Sequence, residues 1–253
     1  RTGIEMMLAV DVSNSMLAQD FEPSRLERTK FAIDRLTQQL EQDRIGLIVF
    51  AGDAYMQLPI TSDYVAARSF AAQISPTMVS KQGTAIGAAI DLAASSFSSG
   101  SEGSRVIVVI SDGENHEDDA LAAAKAAAEK GIRIYTIGIG TPEGAPISID
   151  GEFIKDEQGD MVVSKLDEQM LEQIALTTGG AYIRATNRSL GLDEIVQKIN
   201  EVEKKELTST VFEDFNEQYQ YLIGLALALL LLEFAMLERR SRLLARFNIF
   251  RKR

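Results

Sequence analysis

The sequence predicts a doubly wound α/β fold around a mainly parallel sheet, and three observations predict it. Five short runs are apolar along nearly their whole length, which marks strands covered on both faces. Stretches with helical spacing of apolar residues lie between them. Helix-end chemistry punctuates those stretches, with a capping-box pattern at one start and Gly beyond two of the ends. An alternating β/α order of this kind gives a Rossmann-like open sheet with helices on its faces.

Taken in order, "IEMMLAV" at 4–10 is the first strand. "PSRLERTKFAIDRLTQQL" follows as a helix: Ser24 and Glu27 make the capping-box pattern just after Pro23, and Leu26, Ile33, Leu36 and Leu40 fall on one face. "RIGLIVFA" at 44–51 is the second strand. "AYMQLPI", close behind it, is expected to pair antiparallel at a sheet edge, where Pro59 is tolerated because an outward position needs no ladder N–H. "TSDYVAARSFAAQI" and "GTAIGAAIDLAASSF" read as helices leading to the strand "RVIVVIS" at 105–111. "DDALAAAKAAAEKG" leads to "IRIYTIG" at 132–138, and "LDEQMLEQIALTTGG" to "AYIRA" at 181–185, both helices closing on Gly. One segment breaks the rhythm, "TPEGAPISIDGEFIKDEQGDMVVSK", with an Asp150-Gly151 turn and another around Gly159. Residues 141–165 are therefore expected to form a small hairpin insertion. "SLGLDEIVQKINEVEKKEL" is the last helix of a domain expected to span residues 1–206.

A chain of 253 residues can bury one substantial core with an appendage to spare. Its composition, 45% hydrophobic and 25% charged with 18 Gly and 5 Pro, is that of a globular protein rather than a fibre or a disordered chain. With no cysteine, disulfides, thiolate metal sites and cysteine nucleophiles are excluded. The net charge of −11 hides an asymmetry, because residues 238–253 hold seven bases and one acid, leaving 19 bases against 36 acids in the rest. Such an acidic body repels nucleic acid.

Between body and tail lies "YLIGLALALLLLEFAML", residues 221–237, apolar apart from Glu233. As a helix it would span about 25 Å at roughly 1.5 Å per residue, enough for a membrane anchor. A buried core helix is the alternative, disfavoured by apolarity on all faces. The flank at 207–220 is a juxtamembrane linker, acidic where it nears the span, and the tail at 238–253 is basic, so the tail is expected in the cytoplasm and the globular body outside it. Glu233 either faces a partner helix or snorkels towards the interface. The tail's Leu243, Leu244, Phe247 and Phe250 share a helical face, suited to anionic lipid or to a cytoplasmic partner. The chain does not open on Met, and a membrane segment upstream of Arg1 is expected.

The stretch "AVDVSNSM" carries the chemistry. Asp11, Ser13 and Ser15 follow the first strand, at the end where open α/β sheets bind ligands. A hard divalent cation takes oxygen donors, and Mg²⁺ keeps several waters in octahedral geometry. Ser13 and Ser15 supply two hydroxyls, Asp11 can hold a water, and other loops offer Thr84 in "KQGTAIG" and Asp112 in "VIVVISDGEN". Taken alone, the same small residues could equally cap a turn after the strand.

With Thr84 and Asp112 included, the chain resembles the von Willebrand factor A (VWA) domain, whose metal-ion-dependent adhesion site (MIDAS) combines an Asp-x-Ser-x-Ser loop, a Thr and an Asp. The resemblance implies that Ser13, Ser15 and Thr84 ligate the ion directly and that Asp11 and Asp112 act mainly through water. It implies Mg²⁺, with Mn²⁺ or Ca²⁺ as alternatives, and a coordination position left for a partner's carboxylate. Asn14, Gly83 and Gly113, beside these ligands, are then expected to face that partner. Nearly the whole chain, from "SNSMLAQDFEPSRLERTK" to the C-terminal anchor, looks like the aerotolerance-type (BatB/BatA-like) bacterial membrane proteins. That likeness implies an inner-membrane protein with its VWA domain periplasmic, in company with other Bat-type VWA proteins and a MoxR-type AAA+ ATPase.

Catalysis is not expected. The only histidine, His116 in "DGENHEDD", reads as a polar loop residue, and neither a G-x-S-x-G elbow nor a P-loop occurs. A Mg²⁺-dependent phosphohydrolase using Asp11 would want a second carboxylate close by, and position 13 is serine. A structural scaffold assembling through membrane helices is the other alternative to a metal-dependent protein-binding module.

Overall fold

The structure, a computed structural model, describes residues 3–40, 42–97, 104–115, 117–149, 151–201 and 219–238. β1 (Glu5–Asp11) leads through α1 (Arg25–Thr37) to β2 (Arg44–Phe50), which turns back into β3 (Ala54–Thr61). α2 (Tyr64–Ala72) and α3 (Ile86–Ser95) carry the chain to β4 (Arg105–Ser111), and α4 (Ala120–Glu129) to β5 (Arg133–Gly138). Four two-residue strands follow: β6 (Ala145–Pro146), β7 (Ser148–Ile149), β8 (Glu152–Phe153) and β9 (Val163–Ser164). α5 (Glu168–Thr177) and β10 (Tyr182–Arg184) complete the sheet, residues 192–201 form α6, and α7 runs Tyr219–Glu238. The chain divides into two units, Arg1–Glu201 with the sheet and Val202–Arg253 with α7.

The sheet order is β10-β5-β4-β1-β2-β3, parallel throughout except for β3, which pairs antiparallel with β2 at one edge as the sequence leads one to expect. Its register slips twice near Leu47, and Pro59 lies in the irregular stretch. Alternate residues of the central strands feed opposite cores. Met6, Leu8 and Val10 meet Leu26, Ile33 and Leu36 of α1, Ala67 of α2, and Ile195 of α6. Met7 and Ala9 meet Ile90 of α3, Ala124 of α4 and Ile174 of α5. Burial on both faces explains why the strands read as unbroken apolar runs.

Ser24 caps α1 by accepting the Glu27 N–H at 3.2 Å, but the Glu27 carboxylate turns to Lys30 Nζ at 2.6 Å, so only half of the capping box forms. Gly131 and Gly179 both end helices at φ +70°, the left-handed turn that favours glycine. In the insertion, β7 and β8 form the hairpin around Gly151 (φ +85°), and β6 pairs with β9.

Among the described residues no helix is long and apolar enough to cross a membrane. α7 itself is helical over the 20 residues Tyr219–Glu238. The helical state of 219–238 is thus observed, and the membrane span expected at 221–237 is not. His116, Asp150, residues 207–218 of the expected linker and the basic tail from 239 onward lie outside the described residues.

Candidate metal centre

The sheet reverses its winding between β1 and β4: from β1 the chain moves outward to β2, and from β4 outward to β5. Loops leaving the carboxyl ends of these two neighbours diverge, which opens a crevice there. Asp11 is the last residue of β1, and Asp112 follows the last residue of β4. Both are fully buried.

Asp11 shapes the loop that follows it. Its Oδ1 accepts the Ser13 N–H at 2.9 Å and its Oδ2 the Ser111 hydroxyl at 2.6 Å. The turn so formed brings the hydroxyls of Ser13 and Ser15 within 2.8 Å of each other. Burial pushes the Asp11 carboxyl up to about 7, the Asp112 charge adding to it and the Ser111 and Ser13 hydrogen bonds opposing it.

Thr84 arrives on the loop before α3, which is tied to the end of β2 by the Ala85 N–H to the Ala51 carbonyl at 2.7 Å. The first turn of α3 is capped from the loop that carries Asp112. Asn115 Oδ1 accepts the Ile86 N–H at 3.2 Å, and Asp118 accepts those of Gly87 and Ala88 at 3.0 and 2.7 Å. The Thr84 and Asp112 segments are therefore fastened to each other. Among the described residues no hydrogen bond joins the Thr84 side chain to the other four expected ligands.

Asp112 is held from behind by Arg25, whose guanidinium has no solvent exposure. Arg25 Nη1 donates to Asp112 Oδ2 at 3.0 Å and to Ser164 Oγ at 2.8 Å, while the Ser164 hydroxyl itself lies 2.9 Å from Asp112 Oδ2. Arg25 Nε and Nη2 form a two-pronged pair with Asp20 at 2.8 and 2.7 Å. Burial works to raise the Asp20 carboxyl, but the bonds and charge of Arg25, helped by Thr141, outweigh it and hold it below its ordinary value. Sequence reading missed Arg25, Asp20, Ser164 and Asp118. Only Asp20 and Arg25 are close in sequence, and nothing local to either marks it as buried.

The expected partner-facing residues divide. Asn14 is partly exposed beside the two serines. Gly83 adopts φ +115°, and a Cβ there would stand 2.7 Å from Glu117 Oε1. Gly113 is buried at φ +82°, and a Cβ there would stand 2.3 Å from the Asp167 carbonyl oxygen, so glycine is what lets the chain turn at this point.

Among the described residues no three His, Cys, Asp or Glu gather as a metal site. The arrangement instead offers hydroxyls and two carboxylates, a set of hard oxygens of the kind that hard divalent cations take. Adjacent ligands of an octahedral Mg²⁺ at about 2.0–2.1 Å stand roughly 2.9 Å apart. The Ser13 and Ser15 hydroxyls are hydrogen-bonded to each other at 2.8 Å, a separation that an ion bound by both would leave nearly unchanged.

Comparison with known proteins bears on the family and the fold. The von Willebrand factor type A domain profile matches residues 5–199. An aerotolerance-related membrane protein from Bacteroides fragilis is 52% identical, with a TM-score of 0.75 over 79% of this chain and all of that one. The conserved hypothetical protein BatB from Bacteroides thetaiotaomicron is 51% identical, with a TM-score of 0.77 over 80% of this chain and all of that one. An uncharacterized protein of Borreliella burgdorferi is 30% identical over 92% of this chain and 68% of its own length.

Proposed function

We propose a function from one premise: this chain belongs to the von Willebrand factor type A domain family. The domain binds a divalent cation, Mg²⁺ with Mn²⁺ or Ca²⁺ as alternatives, and uses it to recruit an acidic side chain of another protein. Ser13, Ser15 and Thr84 would hold the ion directly, and Asp11 and Asp112 through water. The observation that carries this reading is the pair of Ser13 and Ser15 hydroxyls, 2.8 Å apart, on the loop that the buried Asp11 carboxylate shapes. A fold-sharing mussel byssus protein, 15% identical, was solved with zinc in its MIDAS motif.

The electrostatics favour recruitment. Arg25 neutralises part of the charge of Asp112, so few anionic groups would face the ion and it would keep an appetite for a carboxylate from outside. Asp11 is poorly placed as a nucleophile, because both of its oxygens are engaged by neighbours. Binding rather than turnover is the consequence.

The domain works at a bacterial inner membrane, with α7 as its anchor, the body on the periplasmic side and the basic tail in the cytoplasm. Support comes from the run of Ala, Leu and Ile exposed along α7 and from the membrane protein of Bacteroides fragilis that the chain resembles. Other Bat-type VWA proteins and a MoxR-type AAA+ ATPase are the partners proposed.

The test is copurification of the full-length chain from membranes with and without EDTA, beside Asp11→Ala and Thr84→Ala. Loss of the same partner under all three conditions is expected. Complexes that persist unchanged would sink metal-bridged recruitment and leave a scaffold assembling through its helices.

A further inference from the structure

We infer that the partner presents its carboxylate with a large apolar side chain close beside it, the carboxylate for the metal centre and the apolar group for a groove that begins at Asn14. The inference rests on the metal-dependent reading above.

The groove has a volume of about 570 Å³ and is open to solvent along its length. Leu17, Pro76, Val79 and Ile149 give it apolar walls. Asn14, which lines the groove, lies in the chain between Ser13 and Ser15, so the groove adjoins the loop that carries the two hydroxyls. None of its lining residues is charged, in a chain of which 25% is charged. A second charged side chain brought in beside the carboxylate would lose its water there without gaining a counter-ion, whereas an apolar one would gain from leaving water.

One wall comes from the insertion, and the structure holds that wall in register with the metal loop. β7, which carries Ile149, packs beside the turn at Asn14–Leu17. The base of the insertion is clamped to the site itself, since Ser164 on β9 shares Asp112 Oδ2 with Arg25. The insertion wall and the Asn14 loop are thus held together before any partner arrives, so less ordering is left on that side to oppose binding. The occupant is a segment of another protein, bearing one Asp or Glu and a Leu, Ile, Met or Phe within about two positions of it.

A random-peptide phage library selected on the full-length chain in detergent with Mg²⁺, and eluted with EDTA, tests this. The control is the double variant Thr77→Asp/Ile149→Asp, which places charges at two exposed lining positions. Peptides from the unaltered chain are expected to pair an acid with a nearby apolar residue, and the variant to keep the acid and lose the apolar preference. Replacing the apolar residue of a selected peptide by Ala should weaken its binding roughly tenfold or more. Acidic peptides without the apolar preference, or the same preference on the variant, overturn the groove and leave the metal reading standing. Peptides that EDTA does not release, or no recovery of acidic peptides at all, overturn both.

Discussion

Arg25 shows how much of the site depends on a residue that touches no ligand. It stands between Asp20 and Asp112, is fully buried, and joins the metal loop to the insertion through Ser164. Removing it leaves two carboxylates facing each other's charge without their counter-ion. Arg25→Ala is expected to cost about 3–5 kcal/mol in urea unfolding, and Arg25→Lys to restore only part, because one ammonium cannot reproduce the guanidinium's directions. Asp11 predicts a pH dependence. Its folded value of about 7 lies above its unfolded value near 3.8, so the metal-free fold holds a proton that the unfolded chain releases. Stability from this group is full below about pH 4 and falls as pH rises through 7. A cation relieves the ionised site, so calorimetry should find a larger Mg²⁺-dependent rise in Tm at pH 8 than at pH 5.5. An equal rise at both would count against Asp11 as part of the site. The five residues could be singled out as candidates because each sits in a short polar stretch at a strand end or helix start. Arg25 was not, since its partner Asp112 lies 87 residues away and side-chain charge says nothing about depth.

The N-terminus of α3 poses the same question one level up. Ala85 offers it no side-chain cap, and Asp118 with Asn115 supplies the missing acceptors from another loop. Asp118→Ala is expected to cost about 1–2 kcal/mol of stability and also to weaken Mg²⁺ binding in a titration, by loosening the segment that carries Thr84. Asp119→Ala, which removes the cap of α4, should cost a similar amount and leave Mg²⁺ affinity unchanged. Equal affinities for the two variants would show that the fastening is structural only. Strands and helices were readable from their apolar periodicity, and the insertion from its turn residues. The pairing of β6 with β9 was not, because strands of two residues carry no pattern.

For the whole molecule, a parallel sheet with helices on both faces followed from the alternation of elements, and the antiparallel β3 from its closeness to β2. The strand order did not, because it depends on which side of β1 each crossover returns. The anchor belongs to this scale as well. Residues 1–253 are expected to stay with membranes through an alkaline carbonate wash, and residues 1–201 to be released. Release of both would refute α7 as an anchor.

The two margins of the sheet have a consequence for how the domain can associate. β10 offers only three residues, and β3 contains Pro59 with a register that slips twice. A neighbouring chain seeking to extend the ladder would find one side too short and the other interrupted. Aggregation by strand addition is thereby discouraged, which leaves the rim where the strands end, and where the buried carboxylates lie, free to bind without competition from the sheet's own edges.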